Sequence, residues 1–260
     1  MTAPSMRILR GNDWGERLQR ELAGSSCSGL GFMQERTELL KSDTHSWVGL
    51  VHLSGRLCYL KFYRAKSAGQ NLLFRLGYAR GLRSFDAAAK LLVEGVQVPA
   101  PLACLRLDDG ILLLTEGVMD AKDLKALWQE PLAAPEQARL MSSAGRALSD
   151  LHRAGYCHGD CKWSNFLWSQ HGFYLVDLEG VKKTAASSKQ QAKDLARFTV
   201  NAEDLGVSKQ NFELFLDSYL KESHYTRGAT IHAIMPWLHQ LRARHSIKYG
   251  RRGQQILGDP

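Results

Sequence analysis

The sequence predicts an α+β fold, with most strands in the first half of the chain and most helices in the second. Alternating apolar and polar residues between turn signals predict three antiparallel strands from Thr37 to Tyr63, and an apolar run predicts a buried strand at 111–116. A helical repeat of apolar residues, with Pro135 at its start and Gly155 after its end, predicts a long helix. Elements segregated along the chain in this way are typical of α+β proteins.

The predicted strands of the first half form a meander. They cover residues 38–41, 47–53 and 56–63, and Ser54-Gly55 is a turn signal between the second and the third. A helix that Ser84 caps and Gly95 ends follows the meander. The first 36 residues contain one short predicted helix, from Asp13 to Leu22, and no pattern that indicates chemistry.

The composition favours a protein of a reducing compartment with an anionic partner. No apolar window reaches membrane length, and the N-terminus lacks the apolar core of a signal peptide, so we expect a cytoplasmic location. The five cysteines are odd in number and lie mostly in apolar runs, which indicates buried free thiols. A net charge of +8 suggests nucleic acid, an anionic lipid surface or a solvated basic surface.

The stretch from Tyr156 to Asp177 concentrates the polar residues that indicate chemistry. It contains His158-Gly159-Asp160, then Lys162 and Asn165. Two apolar runs around a polar turn predict a β-hairpin that brings Asn165 and Asp177 to the same end. Asp and Asn also favour turns, which accounts for any one of these positions but poorly for all of them in this order.

This motif resembles the His-x-Asp-x-x-x-x-Asn catalytic loop of kinase-like phosphotransferases, with Gly159 where protein kinases have Arg. The run Val96-Gln-Val-Pro-Ala-Pro-Leu-Ala103, which follows an Arg-rich helix, is similar to a segment of the bacterial lipopolysaccharide core kinase family. That family phosphorylates heptose or Kdo sugars of the inner core. The resemblance covers roughly residues 41–219.

The resemblance implies a two-lobed protein-kinase-like fold with ATP between the lobes. It predicts a small antiparallel β-sheet N-lobe with one helix at 37–116 and a mainly helical C-lobe at 117–241. Residues 1–36 are then an N-terminal extension, and 242–260 are a basic C-terminal tail that we expect to be disordered from Gly253 onward.

The resemblance also implies ATP and Mg²⁺ as cofactors. Asp160 would act on the acceptor hydroxyl and Lys162 on the γ-phosphoryl group, while Asn165 and Asp177 would hold Mg²⁺. We expect His152 and Arg153, at the end of the long helix, to face solvent.

The implied nucleotide contacts lie earlier in the chain. Lys61 would bind the α- and β-phosphates, and the backbone of Glu116 and Val118 would bind adenine. Two departures from protein kinases stand out, since the strand loop lacks Gly-x-Gly-x-x-Gly and the helix lacks a clear Glu, Asp86 being a near substitute. Asp194, which begins an Asp-Leu-Ala-Arg segment, is expected to brace the catalytic loop backbone.

The leading hypothesis is a lipopolysaccharide core sugar kinase at the inner face of the inner membrane, in peripheral contact, with no nucleic acid partner. Its acceptor would be an anionic glycolipid, which the basic runs at 182–193 and 242–252 suit. A small-molecule kinase of the aminoglycoside or choline kinase type is one alternative, although cationic acceptors favour acidic clefts. A pseudokinase-like binding module is the other, and the intact Asp160, Asn165 and Asp177 argue against it.

Overall fold

The computed structural model describes residues 6–24, 28–65, 67, 69, 74, 79–221, 223, 225–250 and 253–258. The chain forms two compact units. The sheet unit comprises Met1–Leu92 and Pro99–Met119, and the helical unit comprises Val93–Val98 and Asp120–Pro260. The domain boundaries predicted at residues 37, 117 and 242 stay predictions.

The sheet unit contains a six-stranded antiparallel sheet, in the order β1-β5-β6-β4-β3-β2. Its strands are β1 Arg7–Arg10, β2 Glu38–Asp43, β3 Ser46–Leu53, β4 Arg56–Arg64, β5 Pro101–Arg106 and β6 Gly110–Glu116. The predicted meander is confirmed as β2-β3-β4. Ser54 and Gly55 both have positive φ, which is the backbone that a two-residue hairpin turn requires.

Helices pack on this sheet through apolar side chains. The described helices of the unit are α1 Asn12–Ala23, α2 Gly29–Arg36 and α3 Arg80–Val93. Leu18 and Leu22 of α1 and Phe32 of α2 are buried in one cluster with the strands. The predicted helix at 13–22 is thus confirmed, and the stretch 1–36 also contributes β1, which pairs with β5.

The helical unit is built mainly from five helices among its described residues. They are α4 Leu124–Trp128, α5 Ala134–Arg153, α6 Lys189–Asp204, α7 Lys209–Leu220 and α8 Arg227–Tyr249. The long predicted helix is confirmed as α5. An aromatic core joins α6 and α7, in which the rings of Phe198 and Phe215 stack with centroids 3.9 Å apart, and the ring centroid of Trp163 lies 5.1 Å from that of Phe198. The loop 158–165 thus lies between elements of the helical unit, with α5 and β8 before it and β9 after it.

Two small sheets complete the helical unit. A three-stranded sheet contains β7 Lys122–Asp123, β9 Phe166–Ser169 and β10 Gly172–Leu175, and a two-stranded ladder contains β8 Tyr156–Cys157 and β11 Lys182–Lys183. The predicted hairpin is confirmed as β9-β10, with Phe166 opposite Leu175. Among the described residues, no helix has the length and apolar composition needed to cross a bilayer.

The C-terminal segment is ordered against α6, so the prediction that the chain is disordered from Gly253 onward is wrong for residues 253–258. Ile256 and Leu257 are buried. Arg242 of α8 donates to both carboxylate oxygens of Glu203 and to the carbonyl of Leu257. A buried ion pair and two apolar side chains therefore hold a segment whose composition alone indicates disorder.

Candidate active site

The hairpin β9-β10 sets the spacing of the residues that the sequence singled out. Asn165 ends a short 3₁₀ turn that begins at Trp163 and leads directly into β9. The backbone N–H of Val176 donates to the carbonyl of Asn165 at 3.0 Å. Asn165 and Asp177 therefore lie at the same end of the hairpin, as predicted.

The carboxylate of Asp160, which is about one-third exposed, lies between two cationic side chains. Lys162 Nζ contacts Oδ2 at 2.7 Å, and Arg197 Nη2 contacts Oδ1 at 2.9 Å. The side-chain amide of Asn165 donates to the backbone carbonyl of Asp160 at 2.8 Å. The structure thus brings together Asp160, Lys162 and Asn165, and it adds Arg197.

Arg197 is the residue that sequence reasoning missed. It follows Asp194 by three positions on α6, so the two side chains share a face of the helix. In the Asp-Leu-Ala-Arg segment, the prediction gave a role at the loop only to Asp194. Asp194 was expected to contact the loop, and a residue three positions later on a helix lies on the same face. This spacing is the signal that could have placed Arg197 at the loop as well.

Asp194 braces the backbone of the loop, as predicted. Its carboxylate accepts hydrogen bonds from the N–H groups of His158 at 2.5 Å and Gly159 at 3.0 Å. His152 also contacts this carboxylate, through Nε2 at 3.3 Å, and its Nδ1 lies 2.8 Å from the hydroxyl of Tyr219. The prediction that His152 faces solvent is wrong, because its side chain is 2% exposed and belongs to this buried network.

His158 is a neutral structural histidine. Its ring is fully buried, its Nε2 lies 3.1 Å from the carbonyl of Val176, and its Nδ1 accepts from the N–H of Asp160 at 3.4 Å. A carbonyl can only accept, so Nε2 carries the proton and Nδ1 is the acceptor. Burial lowers the pKa of His158 below its ordinary value, which favours this neutral form.

Gly159 permits the close passage of the loop past another segment. Its φ is +79°, in the left-handed region that L side chains rarely adopt. A Cβ at this position would lie 2.6 Å from the carbonyl oxygen of Gly180. This contact explains why Arg, the residue of protein kinases at this point of the motif, does not fit here.

Asn165 and Asp177 fit the ligand set of a Mg²⁺ ion bound with a nucleotide. The side chain of Asn165 is buried and its Nδ2 is engaged with Asp160, so its amide oxygen is the atom that remains for a metal. Asp177 has φ 61°, an uncommon backbone of the kind that occurs at functional sites. Sites of this type hold Mg²⁺ through one or two protein oxygens, substrate phosphates and water, so two ligands suffice.

The predicted nucleotide residues belong to the sheet unit. Lys61 is in β4, half-buried, with its Nζ 4.9 Å from the centroid of the Tyr63 ring. Glu116 ends β6, and its N–H donates to the carbonyl of Ala100 at 2.8 Å. The carbonyl of Glu116 receives the Thr115 hydroxyl at 3.4 Å and keeps a second lone pair. Val118 follows two residues later, and the backbone groups of Glu116 and Val118 remain the predicted adenine contacts.

Asp86, the near substitute for the missing helix Glu, accepts hydrogen bonds from Arg10. The Nε and Nη2 atoms of Arg10 lie 2.9 and 3.3 Å from the two carboxylate oxygens. This bidentate pair links α3 to β1. Ser84 lies inside α3, which begins four residues earlier at Arg80, and it is buried there, so the prediction that Ser84 caps this helix is wrong.

The cysteines are structural where the structure describes them. Cys58, Cys104, Cys157 and Cys161 are buried free thiols, as predicted, and Cys27 lies outside the described residues. Burial raises the pKa of each of the four, that of Cys104 to about 12. High pKa values keep thiols protonated and unreactive, so these residues contribute packing.

The fold and the loop together define a protein of the kinase-like class, α+β as predicted. The chain belongs to the lipopolysaccharide kinase (Kdo/WaaP) family, whose model matches residues 30–219. It is similar to the lipopolysaccharide core heptose(I) kinase WaaP of Pseudomonas aeruginosa, with 30% identity over 122 residues, or 42% of this chain and 46% of the relative. The matched segment thus spans less than half of that relative's length.

A solved structure of WaaP shows the same fold. The structure of WaaP in complex with acyl carrier protein matches with a TM-score of 0.59 and 20% identity, covering 94% of this chain and 99% of the other. The kinase domain of Mycobacterium tuberculosis PknI matches with a TM-score of 0.44 and 18% identity, covering 65% and 71% of the two chains.

Proposed function

We propose that this protein is an ATP-dependent kinase that phosphorylates a sugar, heptose or Kdo, of the lipopolysaccharide inner core. The observation that carries the proposal is the Asp160 carboxylate, held by Lys162 and Arg197 on a loop that Asp194 braces. Membership of the Kdo/WaaP family supports the choice of a core sugar as acceptor. The same membership disfavours a cationic small molecule as acceptor.

Asp160 orients the acceptor hydroxyl and accepts its proton as the new bond from oxygen to phosphorus forms and the β–γ phosphoanhydride bond breaks. Lys162, within reach of the same carboxylate, supplies positive charge to the transferring group. Bound ATP supplies the phosphoryl group, and bound Mg²⁺ neutralises phosphate charge. Asn165 and Asp177 would hold the metal, and Lys61, Glu116 and Val118 would hold the nucleotide.

The acceptor is an anionic glycolipid, which the protein meets from the cytoplasm at the inner face of the inner membrane. Residues 223–258 contain no Asp or Glu, and the end of α8 is basic. Arg244 and Lys248 are exposed there on either side of Ile247, whose side chain is 87% exposed. Exposed cations around an apolar side chain suit the surface of an anionic bilayer. Arg242 does not contribute to this surface, because Glu203 neutralises it.

Phosphate transfer from γ-labelled ATP to dephosphorylated lipopolysaccharide core, with Mg²⁺, tests the proposal. We expect label in the glycolipid with the parent protein and at least about 100-fold less with Asp160→Asn, which keeps the shape but not the basicity. Arg153→Gln is the matched control, because Arg153 lies on the exposed end of α5 and pairs loosely with Asp150, at 3.8 Å. Bound ATP without transfer to the core would refute the acceptor, and absence of ATP binding would favour the binding module.

Sedimentation with lipid vesicles tests the membrane contact separately. We expect the protein to bind vesicles that contain phosphatidylglycerol at low salt, and to release them as salt rises. Vesicles of phosphatidylcholine alone should not bind. Equal binding to both compositions would contradict an electrostatic contact.

A further inference from the structure

We infer that Arg197 is a positioning residue for phosphoryl transfer, which holds the Asp160 carboxylate in place while Lys162 serves the phosphoryl group. The inference rests on the proposed function, since it assigns a role within the same reaction. It concerns a residue outside the loop motif.

The two cations contact different oxygens of Asp160. Arg197 Nη2 is 2.9 Å from Oδ1, and Lys162 Nζ is 2.7 Å from Oδ2. Each carboxylate oxygen has two lone-pair sites. Oδ2 also accepts the side-chain amide of Asn165 at 3.4 Å, whereas Oδ1 keeps one site among the contacts of the described residues after Arg197 is bound. The carboxylate can therefore accept the hydroxyl of a substrate while Arg197 still fixes its orientation.

The two cations differ in how they are anchored. Lys162 lies on the loop itself, two residues after Asp160, and reaches the carboxylate through a flexible stem. Contact with the transferring group would draw its ammonium away from Oδ2. Arg197 projects from the middle of a 16-residue helix and presents a planar, permanently charged fork. It is the cation that stays with Asp160 throughout the reaction.

The face of α6 that carries Arg197 contacts the loop both before and after Asp160. Asp194 accepts the N–H groups of residues 158 and 159. Asn201 accepts the backbone N–H of Trp163 at 3.1 Å, and the carbonyl of Phe198 accepts its indole N–H at 3.1 Å. Positions 194, 197, 198 and 201 follow the i, i+3, i+4, i+7 spacing of one helical face. The other residues of this helical face thus hold the loop backbone, and Arg197 holds the carboxylate of Asp160.

An ordinary surface ion pair is the competing explanation. The side chains of Arg197 and Asp160 are 40% and 32% exposed, and pairs of this kind contribute little to stability. A surface pair predicts a small effect on melting and none on turnover. A positioning residue predicts a large effect on turnover with little change in melting, so the two explanations differ in a measurable way.

The test compares Arg197→Gln, Arg197→Lys and the control Arg153→Gln in the core phosphorylation assay, with the full chain. We expect kcat of Arg197→Gln to fall by about 10- to 100-fold, because small misplacements of a catalytic group cost rates of this size. The KM values for ATP and acceptor should stay within about threefold of the parent, since Arg197 does not bind the substrates in this scheme. Arg197→Lys should recover part of kcat, and Arg153→Gln should match the parent.

Chemical rescue provides a readout that a structural role would not move. Arg197→Ala removes the fork and leaves an exposed space, so millimolar guanidinium chloride should restore part of its kcat, whereas sodium chloride of equal ionic strength should not. Parental kcat in Arg197→Gln, or equal effects of the two salts, would overturn the inference while leaving the proposed function intact. A parent protein that transfers no phosphate would overturn both.

Discussion

Arg242→Met should destabilise the protein strongly, although the residue lies in a basic stretch that looks like a solvent-exposed tail. In the structure Arg242 is 14% exposed and Glu203 only 5%. The guanidinium donates to both oxygens of Glu203, at 2.9 and 2.6 Å, and to the carbonyl of Leu257 at 2.6 Å. Glu203 also accepts the N–H of Ile256 at 2.9 Å. Removing the cation leaves a buried carboxylate whose one remaining donor among the described residues is the N–H of Ile256.

The magnitude follows from that uncompensated charge. Breaking a buried ion pair by removing one partner costs about 3–5 kcal/mol. For a protein of this size each kcal/mol lowers the melting temperature by about 2–4 °C, so we expect a decrease of roughly 6–20 °C. Glu203→Met should cost a similar amount, because it leaves Arg242 unpaired.

The double variant is the decisive measurement. Burying two methionines removes both charges at once, so Arg242→Met with Glu203→Met should be more stable than the sum of the single losses predicts, by at least about 2 kcal/mol. Urea unfolding of the parent, the two single variants and the double variant gives this coupling free energy. A coupling near zero, or a single loss below about 1 kcal/mol, would show that the Arg242–Glu203 pair does not stabilise the packing of α8 and of residues 253–258 on α6.

Three further predictions concern the loop and the thiols. Gly159→Ala should lower the free energy of unfolding by about 1–2 kcal/mol or more, since it places a Cβ in the left-handed region and 2.6 Å from the Gly180 carbonyl; a normal melting temperature would contradict this. The pKa of His158 is lower in the folded protein than in the unfolded chain. The free energy of unfolding should therefore decrease as pH falls below about 6.5, the ordinary pKa of histidine. The loss between pH 7.5 and 5.5, measured by urea unfolding, should be smaller in His158→Asn, and equal losses would refute the assignment. In the Cys27→Ser variant, a thiol reagent should label no cysteine rapidly, Cys104 included, until the protein unfolds. Rapid labelling of the native protein would show that burial does not protect these thiols.

Local patterns predicted the elements that carry the candidate site. The hairpin β9-β10 and helix α5 were predicted because strand alternation, turn residues and helix ends are written within short windows. The position of Lys61 in its strand follows from the same kind of pattern. The candidate catalytic loop was predicted from its resemblance to the kinase motif, and the hairpin keeps Asn165 and Asp177 at one end.

The burial of polar residues was not predictable in this way. His152 was expected at a solvent-facing helix end, yet it contacts Asp194, 42 residues away, in a buried network. The basic composition after residue 241 gives no sign of burial, yet Arg242 is 14% exposed and pairs with Glu203, 39 residues away. Composition describes the polarity of a side chain, whereas its burial depends on a partner that another element supplies.

The sequence by itself therefore determined the class of fold, the order of the loop residues and the family resemblance that the family match confirmed. The tertiary structure decided what surrounds those residues. It placed Arg197 on Asp160, held the loop backbone on Asp194, and seated residues 253–258 against α6. The physical reason is the distance along the chain over which each interaction acts. Hydrophobic periodicity and turn chemistry act between residues that are close in sequence. Ion pairs and the hydrogen bonds of buried polar groups form between elements that only folding brings together.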